Sequence, residues 1–140
     1  MMVKPFKSFL KSGTQRRNNM ITEDCISFEV AKLLKEKGCS EIADWGYREN
    51  GEIVYVIDNL IRKPEYWGIT LQRAGKYIRQ TYNLHITIKP YITVEGIMYL
   101  FEIYKLERDR FTLVASKTGF DTNEEAYDGG LKYCLTELIK

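Results

Sequence analysis

From Thr70 to Lys140 the chain reads as helix, three strands, helix, with a start signal before each helix and a turn signal between strands. Helices with one apolar face each and strands with a half-apolar pattern bury those faces against one another. The last helix has the clearest start. Thr122-Asn123-Glu124-Glu125 is a capping box: the Thr122 hydroxyl accepts from the Glu125 amide, and the Glu125 carboxylate reaches back to the amide of Thr122. Tyr127, Leu131, Cys134, Leu135 and Leu138 then form a continuous apolar stripe. Burying one such side chain stabilises by about 1.5–3 kcal/mol. The stripe therefore outweighs Gly129 and Gly130, which cost about 1 kcal/mol each relative to Ala. A glycine pair at that place points to close approach of the helix to the sheet.

The other helix of this half runs from Leu71 to about Tyr82 behind Thr70 as N-cap. Leu71, Ala74, Gly75, Ile78 and Tyr82 share one face, while Arg73, Lys76, Arg79 and Gln80 share the other. Leu84, Ile86 and Ile88 alternate with His85, Thr87 and Lys89, the pattern of a half-buried strand that ends or becomes an edge at Pro90. Strands over Met98–Leu106 and Phe111–Ser116 follow, with apolar residues on both faces, so their inward sides stay open.

The first half is read the same way. A helix over Phe28–Lys37 starts at the Ser27 cap, carries Glu29 in its first turn and stops at Gly38. Residues 42–57 read as a hairpin, because Asn50-Gly51 suits a type I′ turn. Its return strand Ile53–Ile57 is apolar on both faces and is expected to be covered on both. The sequence thus predicts an α+β fold, a mostly antiparallel sheet with three helices in the order α-ββ-α-βββ-α. Residues 20–140 form one domain, and residues 1–19 form a basic, poorly ordered arm. The arm also fits a tail for an anionic surface or an upstream start site.

Charge alternates in blocks. Residues 1–19 carry five Lys/Arg and no acid, and residues 20–61 carry four bases and nine acids. Residues 62–89 carry six bases and one acid, and residues 90–140 carry six bases and nine acids. Such blocks pair within the molecule or meet a partner of opposite sign. No apolar run is long enough to span a membrane, and the first ten residues lack a secretory apolar core. Cys25, Cys39 and Cys134 are odd in number and far apart, which fits reduced thiols and a cytoplasmic setting.

No pattern for a nucleophile elbow, a phosphate loop, a dinucleotide fold or a metal site is present, and His85 is the only histidine. The alternation puts His85 on a polar strand face, so a surface role is the simpler reading. No catalytic residue, metal or cofactor is assigned, and the expectation is a protein that is not an enzyme. Two binding sets remain. Trp45, Tyr47, Tyr55, Tyr66 and Trp67 are candidates for contact with another protein, because Trp and Tyr anchor interfaces. Arg62, Lys63, Arg73, Lys76 and Arg79, with the N-terminal arm, are candidates for nucleic-acid phosphates. A solvated helix face and rings packed over the core would produce the same two sets.

Two resemblances bear on this. Over residues 70–140 the order of elements resembles the double-stranded RNA-binding domain. That family has a Lys-rich start to its second helix, where this chain has Asp121, Glu124 and Glu125, and the family's Gly-Pro-x-His turn is missing. Second, three stretches are similar to small uncharacterised proteins of Bacteroidetes genomes and their phages. They are Ser27-Phe28-Glu29 with Ala31-Lys32-Leu33-Leu34-Lys35-Glu36-Lys37-Gly38, Tyr82-Asn83-Leu84-His85-Ile86, and Leu131-Lys132-Tyr133-Cys134-Leu135. This resemblance runs from about Met20 to the end and implies a phage or mobile-element context with no activity attached. Together these readings lead to the expectation of an accessory protein that works by binding a macromolecule, a protein first and nucleic acid second.

Overall fold

Each helix begins where a hydroxyl accepts a bond that the helix itself cannot supply. In the computed structural model, which describes residues 25–56 and 63–139, Ser27 Oγ accepts from the Val30 amide at 3.3 Å. Thr70 Oγ1 accepts from the Arg73 amide at 3.1 Å, and Thr122 Oγ1 from the Glu125 amide at 3.0 Å. These caps open α1 (Phe28–Glu36), α2 (Leu71–Tyr82) and α3 (Asn123–Tyr133). The capping box differs in one detail. The Glu125 carboxylate accepts from the Asp121 amide at 3.3 Å, one residue upstream of the expected donor. Past Tyr133 the last helix continues through a π-turn over Cys134–Leu138, closed by the Ile139 amide donating to the Cys134 carbonyl at 2.9 Å.

The strands are β1 (Trp45–Tyr47), β2 (Ile53–Tyr55), β3 (Tyr66–Trp67), β4 (Leu84–Thr93), β5 (Gly96–Leu106) and β6 (Phe111–Phe120). They make two antiparallel sheets of three strands, ordered β2-β1-β3 and β4-β5-β6. The fold is α+β with the expected order of helices and strands. One short strand, β3, is added where the sequence reads as loop. It pairs with β1 because Gly46 has no side chain: a Cβ there would strike the Tyr66 carbonyl and the Pro64 ring. The N-terminal arm, Ile57 and Arg62 lie outside the described residues.

Two local expectations are corrected. Gly51 takes φ +92°, but Asn50 does not take a positive φ, so the hairpin is not a type I′ turn. The Gly51 amide donates to the Arg48 carbonyl at 2.9 Å and the Arg48 amide to the Glu52 carbonyl at 2.8 Å, which makes a three-residue loop with glycine at the left-handed position. The return strand is not covered on both faces either. β2 is an edge, with Ile53 44% and Tyr55 48% exposed. An apolar run in a short edge strand looks the same in sequence as one in a central strand.

The core lies between the three helices and one face of β4-β5-β6. Ile86 opposes Ile103 and Ile88 opposes Phe101 on the inner side of the sheet. Val30 and Leu34 from α1, Ala74 and Ile78 from α2, and Leu131 from α3 pack there with Cys134 and Leu135 of the π-turn. The glycine pair does what its position implies. A Cβ on Gly130 would lie 2.9 Å from Ile86 Cγ2 and 3.4 Å from Phe101 Cγ, and one on Gly129 would lie 2.8 Å from Phe120 Cε1. Gly75 of α2 sits against the Tyr127 hydroxyl of α3 in the same way. Leu131 is 0% exposed in this packing. Leu131→Asp is therefore expected to unfold the protein, because a buried carboxylate finds no partner there. A thermal melt that stays unchanged in that variant would show the packing to be wrong.

Candidate functional site

The aromatic set is mostly spent on structure. Trp45 is 7% exposed and stacks edge-on against Tyr47 with centroids 5.1 Å apart. Gly68 lies under the Trp45 ring, where a Cβ would come within 2.5 Å of it. Tyr47 packs on Phe28 at 5.4 Å, and its hydroxyl donates to the Ile26 carbonyl at 2.9 Å. Burial pushes the Tyr47 phenol up to about 12. Tyr66 meets Phe28 at 5.8 Å and takes the Lys35 ammonium over its ring at 5.2 Å, while Trp67 is half-buried against the core. So β1 and β3 bring four of the five rings together as a layer packed beside α1. Tyr55 alone of the set presents close to half its surface.

The basic set is divided as well. Arg73 is engaged at both guanidinium ends, by the Glu41 carboxylate and by the Ile42 carbonyl at 2.9 Å. Lys63 and Lys76 are exposed and Arg79 is half-buried. Pairing of a basic block with an acidic one is visible in this Arg73–Glu41 contact and in Lys89–Glu102 at 3.0 Å, while Lys35–Glu65 at 3.3 Å and Lys132–Glu29 at 2.8 Å are further ion pairs that do not follow the block signs.

His85 lies on the outer face of β4-β5-β6, opposite the helices. Cross-strand pairs place His85 beside Tyr104, Tyr104 beside Leu113, and Leu106 beside Phe111. Among the described residues no helix covers this face. His85, Thr87, Tyr104, Leu106 and Phe111 line an open depression of about 340 Å³. Among the described residues no carboxylate, thiol or serine lines the depression with His85. Further along the face the Lys89 ammonium meets Glu102 at 3.0 Å, and the Tyr104 hydroxyl donates to the same carboxylate at 2.9 Å. Both bonds hold the Glu102 carboxyl below its usual range. Phe111 is 72% and Leu113 52% exposed beside the depression. The sequence does not assign this face, because β5 and β6 are apolar on both sides. The i, i+2 spacing of Phe111 and Leu113 was the one available signal.

A long-range contact was also invisible in the sequence. The Ser27 amide, at the start of α1, donates to Asp128 Oδ1 of α3 at 2.9 Å across 101 residues. Half-burial raises the Asp128 carboxyl above its ordinary range, against the bonds from Ser27 and the charge of Lys132. Among the described residues no group of His, Cys, Asp and Glu is placed to hold a metal ion, and no disulfide joins the cysteines. No helix among the described residues is long and apolar enough to cross a membrane.

Because its folded-state pKa is raised, Asp128 adds stability below the ordinary aspartate range, and that stability is lost as pH rises through the folded value. Asp128→Asn keeps an acceptor for Ser27 and removes the ionisation, so its stability should fall less with pH over that window. Asp128→Ala should be less stable than Asp128→Asn by about 1–3 kcal/mol, the cost of an unsatisfied amide. Urea midpoints measured from pH 4 to 8 check both statements.

Comparison of the chain with protein-family models, with curated proteins and with solved structures gives no match.

Proposed function

We propose that the protein is a non-enzymatic binding protein that docks another polypeptide on the bare outer face of β4-β5-β6. One observation carries this reading: Phe111 and Leu113 stand 72% and 52% exposed beside an open, largely apolar depression. A bulky side chain of a partner, seated there and ringed by Thr87, His85 and the Lys89–Glu102 pair, is the arrangement of an apolar anchor with a polar rim. Monomeric proteins rarely leave large apolar side chains clustered on an open sheet face.

β6, the edge strand that carries Phe111 and Leu113, is a poorer template for backbone pairing. Its ladder with β5 is broken by two register shifts, and irregularities of this kind turn an edge away from further strands. Side chains rather than backbone groups therefore make the contact. The likeness of three stretches to Bacteroidetes phage proteins supports an accessory role in a mobile element. The odd number and wide spacing of the three cysteines support a cytoplasmic setting.

Nucleic-acid binding through α2 has less support, because Arg73 in the middle of the basic set is already held by Glu41 and Ile42. The two readings separate by experiment. A partner captured by the native protein should be lost, by at least about tenfold in affinity, on Phe111→Asp with Leu113→Asp, and kept on Tyr55→Asp. Equal retention by all three proteins would sink the outer-face reading. Tight binding of a generic duplex at low salt, with a steep loss at moderate salt, would favour the basic helix instead.

A further inference from the structure

The first turns of α1 and α3 converge with the β1–β2 hairpin and the end of β6 around an open groove of about 510 Å³. Ile53, Trp45, Tyr47 and Phe120 give it apolar walls, and Ile53 leaves 44% of its surface uncovered there. The carboxylates of Glu29, Glu124, Glu125 and Asp128 line it against one ammonium, that of Lys132. Glu29 is paired with Lys132 and Asp128 accepts from Ser27. Glu124 and Glu125 have no ion pair among the described residues, although Glu125 accepts from the Asp121 amide. A helix start favours acids in its first turn, and that accounts for each acid by itself. It does not account for two such starts meeting over one exposed apolar surface.

We propose that this groove binds a basic segment of a partner protein. A Lys or Arg of that segment lays its aliphatic stem along Ile53 and Phe120 and brings its charged head to Glu124 and Glu125. Long basic side chains cover apolar surface in this way while the head stays at a polar rim. A lining dominated by one sign of charge draws in a cation and rejects an acidic chain. The groove is open to solvent, which suits a polypeptide segment better than an enclosed small molecule. Exposed ion pairs are worth little singly, so the apolar walls and the two carboxylates without an ion pair act together. This site is separate from the outer sheet face, and binding in it does not depend on the reading of that face.

The test is fluorescence anisotropy of a labelled peptide of alternating arginine and phenylalanine, titrated with the full chain, with a glutamate–phenylalanine peptide of equal length as control. Saturable binding of the basic peptide alone is expected. It should weaken by about tenfold with Glu124→Gln plus Glu125→Gln, and likewise with Ile53→Ser, and stay unchanged with Phe111→Asp. Glutamine preserves the capping box, so the carboxylate variant keeps its fold, and a melt of each variant confirms that. The proposal is overturned by no binding at low salt, by equal binding of the acidic peptide, or by a carboxylate variant that binds as the native chain does. Loss on Phe111→Asp alone would move the contact to the outer face and overturn it too. A full chain with Lys4, Lys7, Lys11, Arg16 and Arg17 all changed to Gln is the last arm. Binding by that variant about tenfold tighter than by the native chain would assign the groove to the chain's own N-terminal residues and end the partner reading.

Discussion

The approach of α3 to β4 and β5 sets the rest of the molecule. Gly130 lies against Ile86 and Phe101, Gly129 against Phe120, and Leu131 fills the space beside them with no exposed surface. With α3 seated that closely, α1 and α2 take their places on the same side of the sheet, where Val30, Leu34, Ala74 and Ile78 complete the core. A three-stranded sheet has two faces, and α2 and α3 on one of them, with α1 packed on α3, leave the other without cover. The bare face with Phe111 and Leu113 is thus a consequence of the same packing that stabilises the fold.

The first half of the chain is tied to this unit by polar bonds as well as by apolar contacts. Asp128 of α3 accepts from the amide of Ser27, the N-cap of α1, and Tyr47 of the small sheet donates to Ile26 just before that cap. The small sheet has strands of only two or three residues, too short to be stable alone. It relies on rings for its contact with α1: Tyr47 and Tyr66 pack on Phe28, and Trp45 packs on Tyr47. A ring with a polar tip suits that task, because it fills a thin layer and still satisfies a hydrogen bond at its edge. This explains why an aromatic set that reads as a contact surface is largely internal.

Charge follows a similar logic. The basic block meets an acidic one through Arg73–Glu41, and Lys35–Glu65 and Lys132–Glu29 tie further separate elements together. These exposed pairs add little energy one by one. What they leave over is informative: a lone set of carboxylates at the groove between the helix starts, and a mostly apolar corner on the outer face. The first surface adds carboxylates to its apolar walls, and the second is mostly apolar.

Residues 27–38, 70–82 and 122–138 declare their helices in sequence, because caps, glycine stops and a 3.6-residue apolar repeat act within one or two turns. The alternation of Leu84, Ile86 and Ile88 names the inner face of β4 for the same reason. Loop type at Asn50-Gly51, the pairing of Tyr66 and Trp67 with β1, and the exposure of β2 were not readable. Each depends on which backbone arrives alongside, and Gly46 admits its neighbour only once the fold has brought Pro64 and Tyr66 there. The inward side of β5 and β6, the burial of Trp45 and the bond from Ser27 to Asp128 are likewise set by residues far away in the chain. Local signals determined which elements form. Only the tertiary structure decided which of their faces stay in water, because burial is a property of the neighbour that covers a residue and not of the residue itself.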